Sequence, residues 1–185
     1  MSPNNSPKLT NNALAVLALA NEYCQAIELA ASVEPRQFVE KAVRLLPRLY
    51  MAVNDLPLCD SCNDEYLLDA VHLDETYYNQ VRQYIAALLG EDDTYLDTFE
   101  EDMKYSETPI AASISEGLAD IFQVLYNLIE DVRHADPDDT MEYLHELRQS
   151  FREYWSQTLC NVMRPLNELY QRTDDEDLEE EEPYA

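Results

Sequence analysis

The stretch Ser113–Val132, SISEGLADIFQVLYNLIEDV, constrains the fold more than any other part of the chain. Ile114, Leu118, Ile121, Leu125, Leu128 and Val132 recur at spacings of three and four, with Phe122 and Ile129 widening the stripe. That period belongs to a helix with a broad apolar face. Glu116, Asp120, Gln123, Asn127 and Glu130 take the opposite face, and no lysine or arginine lies between Lys104 and Arg133. Such a stripe must be covered, so the other helices are expected to pack around this one.

Gly90 and Gly117 are the only glycines in 185 residues. Phosphate-cradling loops need several positions with positive φ or close backbone approach, and short-stranded β folds need frequent glycine turns. An all-α fold follows: a single helical bundle of about five main helices. A chain of this length, 46% apolar, can bury a core without disulfides or metals. Residues 1–10 read as a flexible leader, 11–173 as the bundle domain and 174–185 as a disordered acidic tail.

Within the bundle, helix one is expected to be capped by Asn11 or Asn12 and to run to about Ala31. Helix two enters at Pro35 and reaches about Asn54, bending at Pro47. Asp55–Leu73 is mostly connection, with a helical turn around Tyr66–Val71. Helix three starts at Asp74-Glu75 and stops at Gly90. Glu91–Glu107 reads as an acidic linker with a helical turn near Leu96–Glu101. The central helix begins near Ser106 or Thr108 and ends near His134. The longest helix then runs from Asp138 to about Arg172, kinked at Pro165, so that the last two form a long antiparallel hairpin.

The net charge of −26 is unevenly spread. The tail after Thr173 holds eight of the 38 acids, leaving 30 acids against 12 bases for the rest. Direct nucleic-acid binding would lack the cations that neutralise phosphates, and an anionic membrane is disfavoured for the same reason. No apolar run is expected to span a membrane. Ala13–Ala20 resembles a short signal segment, but only Lys8 precedes it and the helical pattern continues to Ala31. The chain reads as a cytoplasmic protein.

Candidate chemistry is sparse. Cys59-x-x-Cys62 has the spacing of half a zinc site or of a redox pair, but no second such pair exists. Cys24 and Cys160 read as core residues, so reduced thiols are expected. Glu142-x-x-His145 has the i, i+3 spacing of di-iron bundles, and Asp131-x-x-His134 and Asp69-x-x-His72 are looser versions. The pairs flanking the hairpin turn are expected in solvent, and no metal or other cofactor is favoured.

Glu116 and Asp120 sit one turn apart as like charges. Glu116–Phe122 looks similar to the ExxD segment of the all-α nucleoside triphosphate pyrophosphohydrolases, which hold Mg²⁺ on such carboxylates. Here the spacing is i, i+4, and Glu100-Glu101 is followed by Asp102, Met103 and Lys104 rather than by a clean EExxE. An arginine is the simpler neutraliser. Equal rise along both arms of a hairpin turning near Ala135 sets Arg148 level with about Gln123 and Arg152 level with about Ala119. Arg148 also falls within the apolar stripe of its own helix, which runs from Met141 and Leu144 through Phe151, Trp155, Leu159, Val162 and Leu166 to Leu169, and an unpaired guanidinium is costly there. Arg148 or Arg152 is therefore expected to pair with Asp120 or with a carboxylate on a neighbouring helix.

The blocks Ala20-Asn21-Glu22-Tyr23-Cys24, Asp93–Phe99 and Ser115–Phe122 resemble those of a bacterial domain-of-unknown-function family. The resemblance implies a small, mainly helical fold over most of residues 10–170 and supplies no activity. It departs from that pattern at Glu116, where an aspartate is expected, and at Leu96, where a tryptophan is. The leading functional expectation is a non-enzymatic protein that meets a basic protein partner through its acidic faces. The alternative is a Mg²⁺-dependent phosphohydrolase using Glu116, Asp120 and acids of Glu100–Asp102. A third reading, a small-molecule binder, requires a deep apolar pocket lined by tyrosines.

Overall fold

The structure, a computed structural model, describes residues 9–58, 72–97, 110–136 and 139–180, with side chains through Arg172. Its elements in chain order are α1 (Asn11–Glu28), α2 (Pro35–Asn54), α3 (Glu75–Leu89), β1 (Thr94–Asp97), β2 (Ile110–Ser113), α4 (Ile114–His134), α5 (Thr140–Ser150) and α6 (Ser156–Glu180). A π-helical turn, Phe151–Trp155, joins α5 to α6 without a break. The last three segments therefore make one rod, and the described residues form the expected bundle of five.

The central helix is where the apolar stripe places it. Ile114, Leu118, Ile121, Phe122, Leu125 and Leu128 are fully buried, and α4 packs against α1, α3, α5 and α6. Burying each such side chain contributes about 1.5–3 kcal/mol. Between α4 and α6 the backbones come close. A Cβ added at Gly117 would lie 2.4 Å from Val162 Cγ1 and 3.3 Å from Thr158 Cγ2. Glycine is what lets these helices meet.

Punctuation residues set several ends. Pro35 opens α2, and the Asp74 carboxylate accepts from the Tyr77 N–H to cap α3. Gly90, at φ 59°, stops α3, a backbone angle that side chains oppose. Helix one differs slightly: Thr10, not Asn11 or Asn12, caps it by accepting from the Ala13 N–H, and a 3₁₀ turn over Leu29–Ser32 follows. By length and composition Asn11–Ser32 is apolar enough to cross a membrane, contrary to the expectation of no such run. Ala13, Val16, Ala20, Tyr23 and Ile27 of that stretch are buried in the core.

Three expectations need correction. The segment around Leu96 is a strand rather than a helical turn. β1 pairs antiparallel with β2, Leu96 opposite Ala111 and Asp97 opposite Ile110, and α4 starts only at Ile114. β2 leads straight into α4, so an extended Ser113 takes the place of the helical entry expected near Ser106 or Thr108. The final rod begins at Thr140 and stays helical to Glu180, beyond the end expected near Arg172. The acidic side chains past Arg172, residues 181–185, the leader 1–8 and the Tyr66–Val71 turn lie outside the described residues.

The π turn has a physical cause. Leu147, Phe151, Trp155 and Leu159 are all buried, at three consecutive spacings of four. On a regular α-helix each such step drifts about 40° around the axis, so the wider turn restores one continuous apolar face. Phe151 and Trp155 then meet edge to face at 4.4 Å, and the Trp155 indole N–H donates to Ser150 Oγ.

Gly117→Ala tests the close crossing. Alanine gains about 0.8–1 kcal/mol of helix propensity, but overpacking costs about 1–3 kcal/mol. Urea denaturation should show a net loss of stability, and a smaller one when Val162→Ala makes room. Equal loss in both backgrounds would place the crossing elsewhere.

Candidate functional site

Among the described residues, several polar contacts that cross between elements in the interior converge on the first two turns of α4. Ser113 does not cap α4 with its own side chain. The cap comes from Asp93 instead: Oδ1 accepts from the Ser115 N–H and Oδ2 from the Ser115 hydroxyl, both at 2.7 Å. Asp93 is only 8% exposed, so a negative charge is held at the helix N-terminus, where the macrodipole favours it. One turn on, buried Tyr23 donates its hydroxyl to the Leu118 carbonyl at 2.8 Å.

Asp120 follows on the half-buried side of the helix. Tyr78 of α3 donates its hydroxyl to Oδ1 at 2.7 Å, and Tyr154 of the π turn donates to Oδ2 at 3.3 Å. Burial pushes the Tyr78 phenol up, and the hydrogen bond and charge of Asp120 and the charge of Glu116 add to it, with Arg82 working the other way. Tyr154 moves in the same direction, first by burial and then by Asp120. Both phenols thus stay protonated as donors. Tyr154 is nonetheless 55% exposed, so this carboxylate–phenol cluster opens to solvent. Glu116 beside it is exposed and accepts from Ser113 Oγ at 3.4 Å.

The arginine pairing proposed from sequence does not form. Arg148 donates to Asn54 Oδ1 on α2 at 3.0 Å and lies 5.8 Å from the Phe151 ring, leaving its buried Nε without a partner. Arg152 is exposed and makes no ion pair among the described residues. Register explains the difference. Gly117 against Thr158 sets the hairpin so that Tyr154, two residues past Arg152, stands level with Asp120. It is Leu147, not Arg148, that completes the apolar stripe.

The other candidates separate. Glu142 is exposed and His145 half-buried, and Cys160 is exposed rather than in the core, whereas Cys24 is buried as expected. Glu100, Glu101, Asp102, Asp69, Cys59 and Cys62 lie outside the described residues. Among the described residues no group of three or more His, Cys, Asp or Glu is arranged to hold a metal. Asp131, expected in solvent with His134, is buried and bonded to His72 instead. A cavity of about 580 Å³ lies between β1 and α6, lined by Tyr95, Leu96, Pro165 and Leu169 but also by charged Arg164 and Arg172. It is a mixed groove, not the deep tyrosine-lined apolar pocket that a small-molecule binder requires.

The model of a protein family described as Domain of unknown function (DUF5063) matches residues 7–172. The chain belongs to that family. Of the DUF5063 segment, Tyr23, Asp93, Ser115 and Leu118, from the three blocks that carried the resemblance, meet physically at the start of α4. The fold is similar to that of protein BF1032 from Bacteroides fragilis, a crystal structure from structural genomics. The two are 29% identical over 86% of this chain and 92% of that one, with a TM-score of 0.73. No curated protein matches the chain.

Two outcomes check the cluster. Asp93→Ala leaves the Ser115 N–H and hydroxyl buried without acceptors, and denaturant melts should register a loss of about 1–3 kcal/mol; an unchanged midpoint would mean that α4 is capped otherwise. A phenol whose folded pKa is raised above the ordinary 10.0 stabilises the fold fully below pH 10. That contribution is lost as pH climbs through the folded value. Asp120→Asn should therefore bring part of the tyrosinate absorbance to lower pH and flatten the alkaline fall in stability. Superimposable titrations of the two proteins would contradict the assignment.

Proposed function

We propose that this member of DUF5063 is a non-enzymatic interaction domain of the cytoplasm whose acidic surface receives a basic protein partner. One observation carries the reading: the chain's few cations are largely taken up by its own polar groups. Lys41 and Arg48 both reach Glu22, Arg44 pairs with Glu40, Arg133 with Glu130 and Arg172 with Asp92. Such exposed pairs add little to stability. They do leave a surplus of unpaired acid in a chain of net charge −26. A surface of this sign attracts basic partners over distances set by ionic strength and repels polyanions.

Glu116, Asp120 and Tyr154 offer a place where such a partner gains more than long-range attraction. A carboxylate accepts the forked donors of an arginine, and the face of an exposed tyrosine ring attracts the same cation. The phosphohydrolase reading finds less support. Among the described residues no three acidic or histidine side chains gather around Glu116 and Asp120 as a metal site.

Pull-down with the immobilised protein, followed by a salt gradient, tests the proposal. The expected result is retention of a basic protein at low salt, its release as salt rises, and several-fold weaker retention on a Glu116→Gln/Tyr154→Ala variant. Absence of any salt-sensitive partner, or undiminished retention by the variant, would overturn it.

A further inference from the structure

We propose that His72 and His134 are the protein ligands of an exchangeable divalent transition-metal site, of the zinc, nickel and copper class, mounted on the buried carboxylate of Asp131. His72 stands just ahead of α3, while Asp131 and His134 belong to the last turns of α4. The position of His72 is fixed from two sides. The backbone N–H groups of His72 and Leu73 both donate to Asn127 Oδ1, at 3.2 and 3.1 Å. Its ring Nε2 lies 2.6 Å from Asp131 Oδ1.

Hydrogen bonding settles which nitrogens are available. A carboxylate oxygen 2.6 Å away calls for a donor, so Nε2 of His72 is the nitrogen turned to Asp131 and Nδ1 is the one left for a metal. His134 has Nδ1 2.7 Å from the Glu130 carbonyl, which also only accepts, so its Nε2 is the free nitrogen. The two rings are neighbours, 6.5 Å between centroids and 23° between planes, within reach of one shared ion. Each imidazole therefore spends one N–H on a carboxylate or a backbone carbonyl and presents the other nitrogen as a ligand. That is how metal-binding histidines are oriented.

Asp131 supplies a second, independent reason. It is only 6% exposed, and its Oδ2 is buried with no hydrogen-bond partner. A half-answered buried carboxylate is costly. A metal on the far nitrogen of His72 polarises the Nε2–H and strengthens its bond to Asp131, offsetting that cost. Nitrogen ligands select zinc, nickel or copper over magnesium and calcium. Two imidazoles leave the remaining coordination positions to water or an outside ligand, so the site is open and exchanges its ion.

The test is calorimetric titration of the full chain, without a histidine tag and under reducing conditions, with Zn²⁺ and Ni²⁺ in excess Mg²⁺ to occupy surface acids. One ion should bind per chain. His72→Ala and His134→Ala should each weaken binding at least tenfold, and His145→Ala should not change it. Asp131→Asn, acting through His72, should cost about 10–100-fold. His134 is exposed, so its variant stays informative should Asp131→Asn fail to fold. Imidazole ¹⁵N shifts should place the ion on Nδ1 of His72 and Nε2 of His134. Loss of binding in excess Mg²⁺ would overturn the proposal. So would binding that survives both histidine variants, or that disappears in Cys59→Ser/Cys62→Ser while the histidine variants keep it.

Discussion

Everything in this molecule depends on burying the apolar surface of α4 from several sides at once. A helix with so broad a stripe is unstable alone in water, and four other segments cover it. One of those contacts, the crossing with α6, is close enough that Gly117 admits Val162 to a distance that any side chain would forbid. That contact also fixes register. Once Gly117 faces Thr158 and Val162, Asp120 must face Tyr154, and the polar cluster follows from the packing.

The polar groups around α4 answer a problem that packing creates. A helix start whose Ser115 is buried cannot rely on water for its orphan N–H groups, so Asp93 is brought in from the turn after α3. Asp120 is likewise held too close to the interior for full hydration, and two phenols hydrate it in effect. At the other end of the helix Asp131 receives one donor for two oxygens. The incompletely answered end is the one where new chemistry is proposed, and the fully answered end is the one that anchors the fold.

Much of this was legible in the residues themselves. The stripe of α4, the stop at Gly90, the entry at Pro35 and the reversal between α4 and α5 are local signals, each written within a few positions. The π turn was not read from the sequence, because the four-residue spacings from Leu147 to Leu159 show only once Leu147 rather than Arg148 is placed on the stripe. The cap by Asp93 was not, because its partner Ser115 is 22 residues away and no local pattern links them. β1 and β2 are four residues each, too short for alternation to declare a strand. Asp120 reads in the sequence as a charge needing an answer, but the phenols that answer it depend on a register that only the Gly117 crossing sets. His72 and Asp131 belong to two different carboxylate–histidine spacings in the sequence, yet the fold brings these two together.

If α4 is the element on which the others depend, its backbone should be the last to open. Native-state amide hydrogen exchange followed by NMR measures this residue by residue. Amides of Leu118–Leu128 should exchange only with global unfolding, slower than those of α1, α2 and α3. Exchange from the middle of α4 at lower free energy than from α1 or α2 would contradict the account.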